Sequence, residues 1–187
     1  YTNSEGYLIT PEVLPYGEYS LVEVQAPYGY ALDKTPVAFS VSLENAEKEN
    51  SLTIVKVEKQ NTAQKGRISV QKTGDIFTSV NMASSAYTDE NGELVVNSTT
   101  YTPVFADGDL SGAVFQVIAV EDIVTLDGTT RAYAGDVVSE ITTDENGYAE
   151  TEPLYLGKYE VREIKAPDGY VLNNEPKDVE VTYAGQE

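Results

Sequence analysis

Tyr159-Glu160-Val161-Arg162-Glu163-Ile164-Lys165-Ala166-Pro167-Asp168-Gly169-Tyr170 decides the reading of this chain. Its counterpart stands earlier, as Tyr19-Ser20-Leu21-Val22-Glu23-Val24-Gln25-Ala26-Pro27-Tyr28-Gly29-Tyr30. In a strand, residues i, i+2 and i+4 share one face. Tyr159, Val161 and Glu163 then point one way, with Glu160 and Arg162 opposite. Tyr19, Leu21 and Glu23 repeat the arrangement, with Ser20 and Val22 opposite. A single strand Glu is usually solvated. One that recurs in register beside a core-facing Tyr and an aliphatic residue points to a carboxylate on the core face. The Ala-Pro-x-Gly-Tyr that follows cannot continue a central strand, because Pro removes a ladder donor and Gly frees the backbone. It predicts a fixed turn at the strand end.

The repeat extends outward. Leu14, Gly17, Leu32 and Pro36 fall on Leu154, Gly157, Leu172 and Pro176, and, at an offset longer by one, Thr2, Gly6 and Tyr7 fall on Thr143, Gly147 and Tyr148. A period this long makes each unit a whole domain rather than a solenoid repeat. The join falls in Gln60-Asn61-Thr62-Ala63-Gln64-Lys65-Gly66, a polar stretch ending in Gly. Strands are expected at Arg67 to Lys72, Ala113 to Val120, Asp136 to Thr142, Lys158 to Ile164 and Val179 to Tyr183, with turns between. Asp-Glu-Asn-Gly occurs at Asp89 to Gly92 and at Asp144 to Gly147, where Asn-Gly favours tight hairpins. It lacks the alternating Asp spacing of a calcium loop. Leu43 to Glu49 reads as a loop rather than a helix. Many short strands with regular turns imply a β-sandwich.

Composition mostly excludes. The 187 residues carry 31 acidic and 12 basic side chains, a formal net charge of -19, with no Cys and no His. An acidic surface repels phosphate backbones and anionic lipid, so neither nucleic acid nor a membrane surface is an expected partner. Without Cys or His there are no disulfides, no thiolate or imidazole metal sites and no Ser-His or Cys-His nucleophile. No cofactor or metal is expected. No run reaches the roughly 18 apolar residues of a membrane span. The chain begins at Tyr1 and shows no leader pattern, so it reads as a mature or excised segment. A secreted domain without disulfides needs another means of stabilisation.

The first strand adds a charge of the opposite sign. Ile68, Val70 and Lys72 share a face, while Arg67, Ser69 and Gln71 share the other. A buried Lys is costly without a partner, and a carboxyl nearby makes the pair a functional candidate. Together these residues resemble the Cna B-type (SpaA-like, prealbumin-like) domains of Gram-positive pilins and cell-wall adhesins. Tyr159 to Tyr170 and Tyr19 to Tyr30 are similar to that family's E-box, with Ile164 and Val24 where Thr is frequent. Lys72-Thr73-Gly74 resembles the end of its first strand, and Leu110 to Phe115 its second. Asn61 before Gln64-Lys65-Gly66 resembles the end of its last strand. The resemblance covers essentially the whole chain. It implies an all-β, immunoglobulin-like/prealbumin-like β-sandwich in tandem domains. Residues 1–65 would be the C-terminal part of a first domain. Residues 66–187 would be a second one lacking its last strand, with an inserted hairpin region at 73–109.

The resemblance also implies a self-catalysed isopeptide bond between Lys and Asn, promoted by a buried Glu. On that reading Glu163 and Glu23 are the catalytic carboxyls, and Lys72 and Asn61 are the bond-forming residues. An apolar surround disfavours charge, the neutral amine is the nucleophile, and a carboxyl can move the proton while ammonia leaves. This is a single turnover, not an enzyme. Neither triad is complete: the second unit holds Lys72 and Glu163, the first Glu23 and Asn61. Asn173 and Asn174 follow the second E-box in a loop and do not suit the acceptor role. Asn61 shares a face with Val55 and Val57, although Lys59 interrupts it. Three explanations stay open: a fragment of a longer array, strand exchange with another copy, or closure without the bond.

The function expected is a structural stalk or pilin-like module of a bacterial surface adhesion protein. It would be extracellular and attached to the cell wall through parts not present here, with neighbouring domains of the array as partners. The alternative is a ligand-binding module for a host protein or glycan, with 73–109 as its site. That insertion holds Phe77, Met82, Tyr87 and Tyr101, and the plainer reading is an added hairpin packed on the sheet. Asn97-Ser98-Thr99 is a formal glycosylation sequon that says little in a bacterial protein.

Overall fold

The computed structural model describes residues 1–42, 44, 47–49 and 52–186. Every regular element among them is a strand. The chain divides into two compact units: Tyr1–Gln64 with Tyr183–Glu187, and Lys65–Thr182.

In the first unit β1 (Gly17–Leu21) pairs antiparallel with β2 (Val37–Val41), and β3 (Glu47–Glu49) with β4 (Leu52–Ile54). Glu47–Glu49 is therefore a strand rather than part of a loop. Leu43, Asn45 and Ala46 of that expected loop lie outside the described residues. Beyond β4 the chain still alternates. Val55, Val57, Lys59 and Asn61 are each less exposed than their neighbours. Lys59 does not break this face, because it is ion-paired with Asp33 at 2.9 Å and donates to the Thr35 carbonyl at 2.7 Å.

The second unit is the sandwich. Its strands are β5 (Lys65–Gly66), β6 (Ser69–Gln71), β7 (Thr73–Thr88), β8 (Leu94–Asp109), β9 (Val114–Ala119), β10 (Ile123–Val124), β11 (Thr130–Ala132), β12 (Val137–Thr142), β13 (Tyr148–Glu150), β14 (Leu154–Tyr155), β15 (Gly157–Lys165) and β16 (Lys177–Val181). One layer is a four-stranded sheet in the order β12-β9-β15-β16. The pairs β13-β6 and β14-β5 supply the residues facing it. Ile68 and Leu154 pack with Val117, Ala119, Ile123, Tyr159, Val161 and Val181 in one buried cluster.

The first strand of this unit is split in two, where the sequence suggested one run. The segment it pairs with carries Thr151-Glu152-Pro153, and Pro153 has no N–H for a ladder. Ile68 instead exchanges bonds with Thr151: Ile68 N donates to Thr151 Oγ1 at 3.1 Å and Thr151 N to the Ile68 carbonyl at 3.0 Å.

Both Asp-Glu-Asn-Gly turns have the same wiring. The Asp oxygen accepts the backbone N–H groups two and four residues on, from Asn91 and Glu93 and from Asn146 and Tyr148. Only the first closes a hairpin, between β7 and β8. The second joins β12 to β13, which pair with different strands, so the expected hairpin there is a change of layer. Asn3 makes the same bonds to Glu5 and Tyr7 in the first unit, the structural form of the repeat at Thr2, Gly6 and Tyr7.

These bonds hold the Asp144 carboxyl below its ordinary value, the Tyr148 N–H foremost. A depressed folded pKa contributes stability that is present above the unfolded pKa and lost as pH falls through the folded one. Asp144→Asn is therefore expected to flatten the acid limb of the stability curve below about pH 4. Urea melts at stepped pH would show it, and an unchanged acid limb would contradict it.

The 73–109 insertion does not pack on the sandwich as expected. Among the described residues β7 and β8 pair only with each other, as a two-stranded ribbon that meets the sandwich at its base, where the Tyr170 hydroxyl donates to the Asp75 carbonyl at 2.7 Å.

Candidate functional site

The second unit places Glu163 as the alternation required. Along β15, Tyr159, Val161 and Glu163 are buried at 2, 7 and 3% exposure, while Arg162 faces solvent. The Tyr159 hydroxyl donates to the Tyr155 carbonyl at 2.7 Å, fixing the strand start. β15 pairs with β9 so that Glu163 lies opposite Phe115, and the register shifts just after it.

Lys72 arrives from the other layer. It sits between β6, which pairs with β13, and β7, which leaves to form the ribbon. Its N–H donates to the Gly147 carbonyl at 2.8 Å, and its carbonyl accepts from Leu110 N at 3.0 Å. Lys72 Nζ stands 3.1 Å from Glu163 Oε1, with the Lys side chain 23% and the Glu side chain 2% exposed. The two carboxylate oxygens differ. Oε2 accepts the Asn173 N–H at 2.9 Å. Oε1 is buried and has the Lys72 ammonium beside it at 3.1 Å and no other donor among the described residues.

The first unit holds the corresponding site with a different partner. Glu23 Oε2 accepts the Asp33 N–H at 3.0 Å, matching the Asn173 bond to Glu163 in the second unit. The Asn61 Nδ2 donates to both Glu23 oxygens at 2.8 Å each. The chain around Asn61 runs beside the E-box turn: Ala31 N donates to the Thr62 carbonyl at 2.9 Å, and Gln64 N to the Gly29 carbonyl at 2.7 Å. Both E-box turns close with the Tyr N–H on the Pro carbonyl, Tyr30 on Pro27 and Tyr170 on Pro167, each at 3.1 Å. Gly29 and Gly169 have φ of 81° and 87°, which favours glycine.

The four residues singled out in the sequence thus form two pairs: Lys72 with Glu163, and Asn61 with Glu23. Asp33 escapes the sequence reading and Asn173 enters it only as an unsuited acceptor, because both act through backbone N–H groups that any residue but Pro would supply. Gly147 was read only as a turn residue. Its φ is 68°, and a Cβ there would meet the Lys72 carbonyl oxygen. Gly147→Ala is expected to cost about 2 kcal/mol or more and to displace Lys72. A thermal melt within a degree of the parent would contradict this.

A family model described as the SpaA prealbumin-like fold domain matches residues 1–58 and 102–187, well over half of the chain. The chain belongs to this SpaA prealbumin-like family. It is 30% identical over 106 residues, 57% of its length, to the trypsin-resistant surface T6 protein of Streptococcus pyogenes serotype M6, of which it spans 16%. The solved TIE protein of Bacillus anthracis aligns with 92% of this chain at 26% identity and a TM-score of 0.50, over 24% of that protein. The T6 backbone pilin of Streptococcus pyogenes serotype M6, a modular three-domain structure decorated with variable loops and extensions, aligns with 49% of this chain at 23% identity and a TM-score of 0.30, over 21% of that pilin. The SpaA prealbumin-like chain therefore spans a minor part of each of these relatives. The family assignment agrees with the all-strand sandwich that holds Lys72 and Glu163.

Proposed function

We propose that this chain is a structural, pilin-like module of a cell-surface protein, whose units are closed by covalent Lys–Asn side-chain bonds. The observation that carries the reading is the pair of half-sites. Glu163 holds an amine 3.1 Å from one oxygen and no side-chain amide, while Glu23 holds an amide on both oxygens. Superimposed in thought, they make one amine, one amide and one carboxyl around a common point.

The chemistry follows from those atoms. The Lys nitrogen, as the free amine, attacks the side-chain carbonyl carbon of Asn. A C–N bond forms, and the bond to the amide nitrogen breaks. The carboxyl takes the proton from the attacking nitrogen and returns it to the leaving one, which departs as ammonia. A buried site keeps out the water that would compete. The product is a covalent staple in a protein without disulfides, and it runs once. Extracellular display on a cell wall accords with the surface and pilin relatives and forms part of the same proposal.

Intact mass tests the assignment directly. Lys72 and Asn61 belong to different units, each with one reacting partner. The 187-residue chain by itself is therefore expected at its sequence mass. A monomer short by one ammonia would overturn the pairing of Asn61 with Glu23 as one half-site and Lys72 with Glu163 as the other.

A further inference from the structure

We propose that the β7–β8 ribbon is a self-association surface, on which a second copy of this chain packs its own ribbon face to face. The two strands of 16 residues each pair along Thr73–Thr88 and Leu94–Asp109, with bulges at Thr78 and Asn97. An isolated two-stranded ribbon is marginal in water without a layer to cover it.

The register sorts the side chains. One face carries the cross-strand rows Phe77/Phe105, Val80/Pro103, Met82/Tyr101, Ser84/Thr99, Ala86/Val96 and Thr88/Leu94. The Phe77 and Phe105 rings meet edge to face at 6.1 Å, and Ser84 reaches Thr99 at 3.2 Å, as residues of one face should. The opposite face is small and polar along its middle, Asn81/Thr102, Ala83/Thr100 and Ser85/Ser98, with Ser79/Val104, Ile76/Ala106 and Tyr87/Val95 toward its ends. On the apolar face Met82, Tyr101 and Leu94 are 66, 67 and 74% exposed, and Phe77, Phe105, Val80 and Val96 are about half exposed. Seven such side chains at ~100 Å² each offer roughly 700 Å² per copy. A standard stable interface uses ~800 Å² per partner.

Charge selects the occupant. No residue from Ile76 to Thr88 or from Leu94 to Ala106 is charged, in a chain of net charge -19. Acidic groups stand only at the ends: Asp89, Glu90 and Glu93 at the tip, Asp75, Asp107 and Asp109 at the base. Nothing along the stripe attracts a charged or phosphorylated partner. A second copy brings an apolar stripe of matching length, and a two-fold contact is self-complementary by construction. Antiparallel stacking about a two-fold between the Met82/Tyr101 and Ser84/Thr99 rows sets Phe77/Phe105 against Thr88/Leu94 and Met82/Tyr101 against Ser84/Thr99. Each bulky row then meets a smaller one. The acidic tips then face acidic bases, a repulsion that salt screens within a Debye length of about 8 Å at physiological ionic strength.

Sedimentation velocity on the 187-residue chain, across protein concentration and from about 0.05 to 0.5 M NaCl, tests this. The expected result is a dimer whose fraction rises with concentration and with salt. Met82→Lys on the apolar face is expected to weaken it by tenfold or more, roughly the loss of one central anchor. Asn81→Lys on the polar face leaves it within about twofold. Both positions are exposed, so unchanged thermal melts confirm that both variants fold. The dimer resolves into chains of sequence mass on a denaturing gel, which separates this surface from the covalent chemistry. A monomer throughout, a dimer that salt dissociates, or a dimer indifferent to Met82→Lys overturns the proposal. A monomer that captures an immobilised matrix protein or glycan through the ribbon would overturn it in favour of a ligand-binding role.

Discussion

A synthetic peptide spanning residues 52–64, mixed with the 187-residue chain, is expected to become joined to it covalently through Lys72. The peptide carries Asn61, whose amide fills both oxygens of Glu23 in the first unit. It also carries the Thr62 carbonyl and Gln64 N–H that bond Ala31 and Gly29 beside the E-box turn. By the repeat, Val171 and Gly169 stand at the matching positions of the second unit. A strand laid there would bring an amide to the buried Glu163 carboxyl, as Asn61 brings one to Glu23. Lys72 Nζ is already 3.1 Å from Glu163 Oε1.

The adduct should weigh the sum of the two molecules less one ammonia, survive a denaturing gel, and map to Lys72 after digestion. The effect is all or none. Lys72→Ala removes the nucleophile, and an Asn61→Ala peptide removes the acceptor. Glu163→Ala removes the proton carrier, a loss of at least ~100-fold in rate. An adduct that persists with Glu163→Ala, or that maps to another lysine, would remove Glu163 from the mechanism. No adduct with the parent chain would refute the acceptor position.

The largest stability effect is expected at Tyr159. Its ring is 2% exposed at the centre of the cluster that joins the two layers, and its hydroxyl is bonded to the Tyr155 carbonyl. Tyr159→Ala should cost about 3–5 kcal/mol through the cavity it leaves. In a unit of this size that lowers the melting temperature by roughly 10–20 °C. Tyr159→Phe keeps the ring and loses one hydrogen bond, about 1 kcal/mol. Burial also raises the Tyr159 hydroxyl above its ordinary value of 10.0. A raised folded pKa gives stability that is complete below the unfolded value and lost as pH rises through the folded one. Melts at stepped alkaline pH should therefore show a smaller loss in Tyr159→Phe than in the parent. A Tyr159→Ala chain that melts with the parent would show that the core does not depend on this ring.

How far the sequence reached can be followed residue by residue. The two-residue period of a strand is local, so Tyr159, Val161 and Glu163 on one face could be read directly. The turn at Pro167-Asp168-Gly169-Tyr170 was equally legible, since Pro and Gly restrict backbone geometry wherever they occur. The split of the first strand at Ile68 was not, because its cause is Pro153, about 85 residues away on the segment that pairs with it. The turn at Asp144 to Gly147 kept its local wiring, but whether it closes a hairpin depends on which strands lie on either side. The ribbon was misplaced for the same reason. Its apolar residues suggested burial, and only the pairing of β7 with β8 alone left that face open.

The sequence by itself determined the family and the strand faces and singled out four candidate site residues, because each rests on neighbours along the chain or on the internal repeat. The tertiary structure decided which of them meet. Lys72 reaches Glu163 because β6 and β15 lie in facing layers of one sandwich, and Asn61 reaches Glu23 because residues 61–64 run back along the turn at Gly29. Contacts between residues far apart in the chain are set by how the sheets pack, and no local period encodes that. The burial of the Glu163 carboxyl is of the same kind: it exists only once the layers have closed around it.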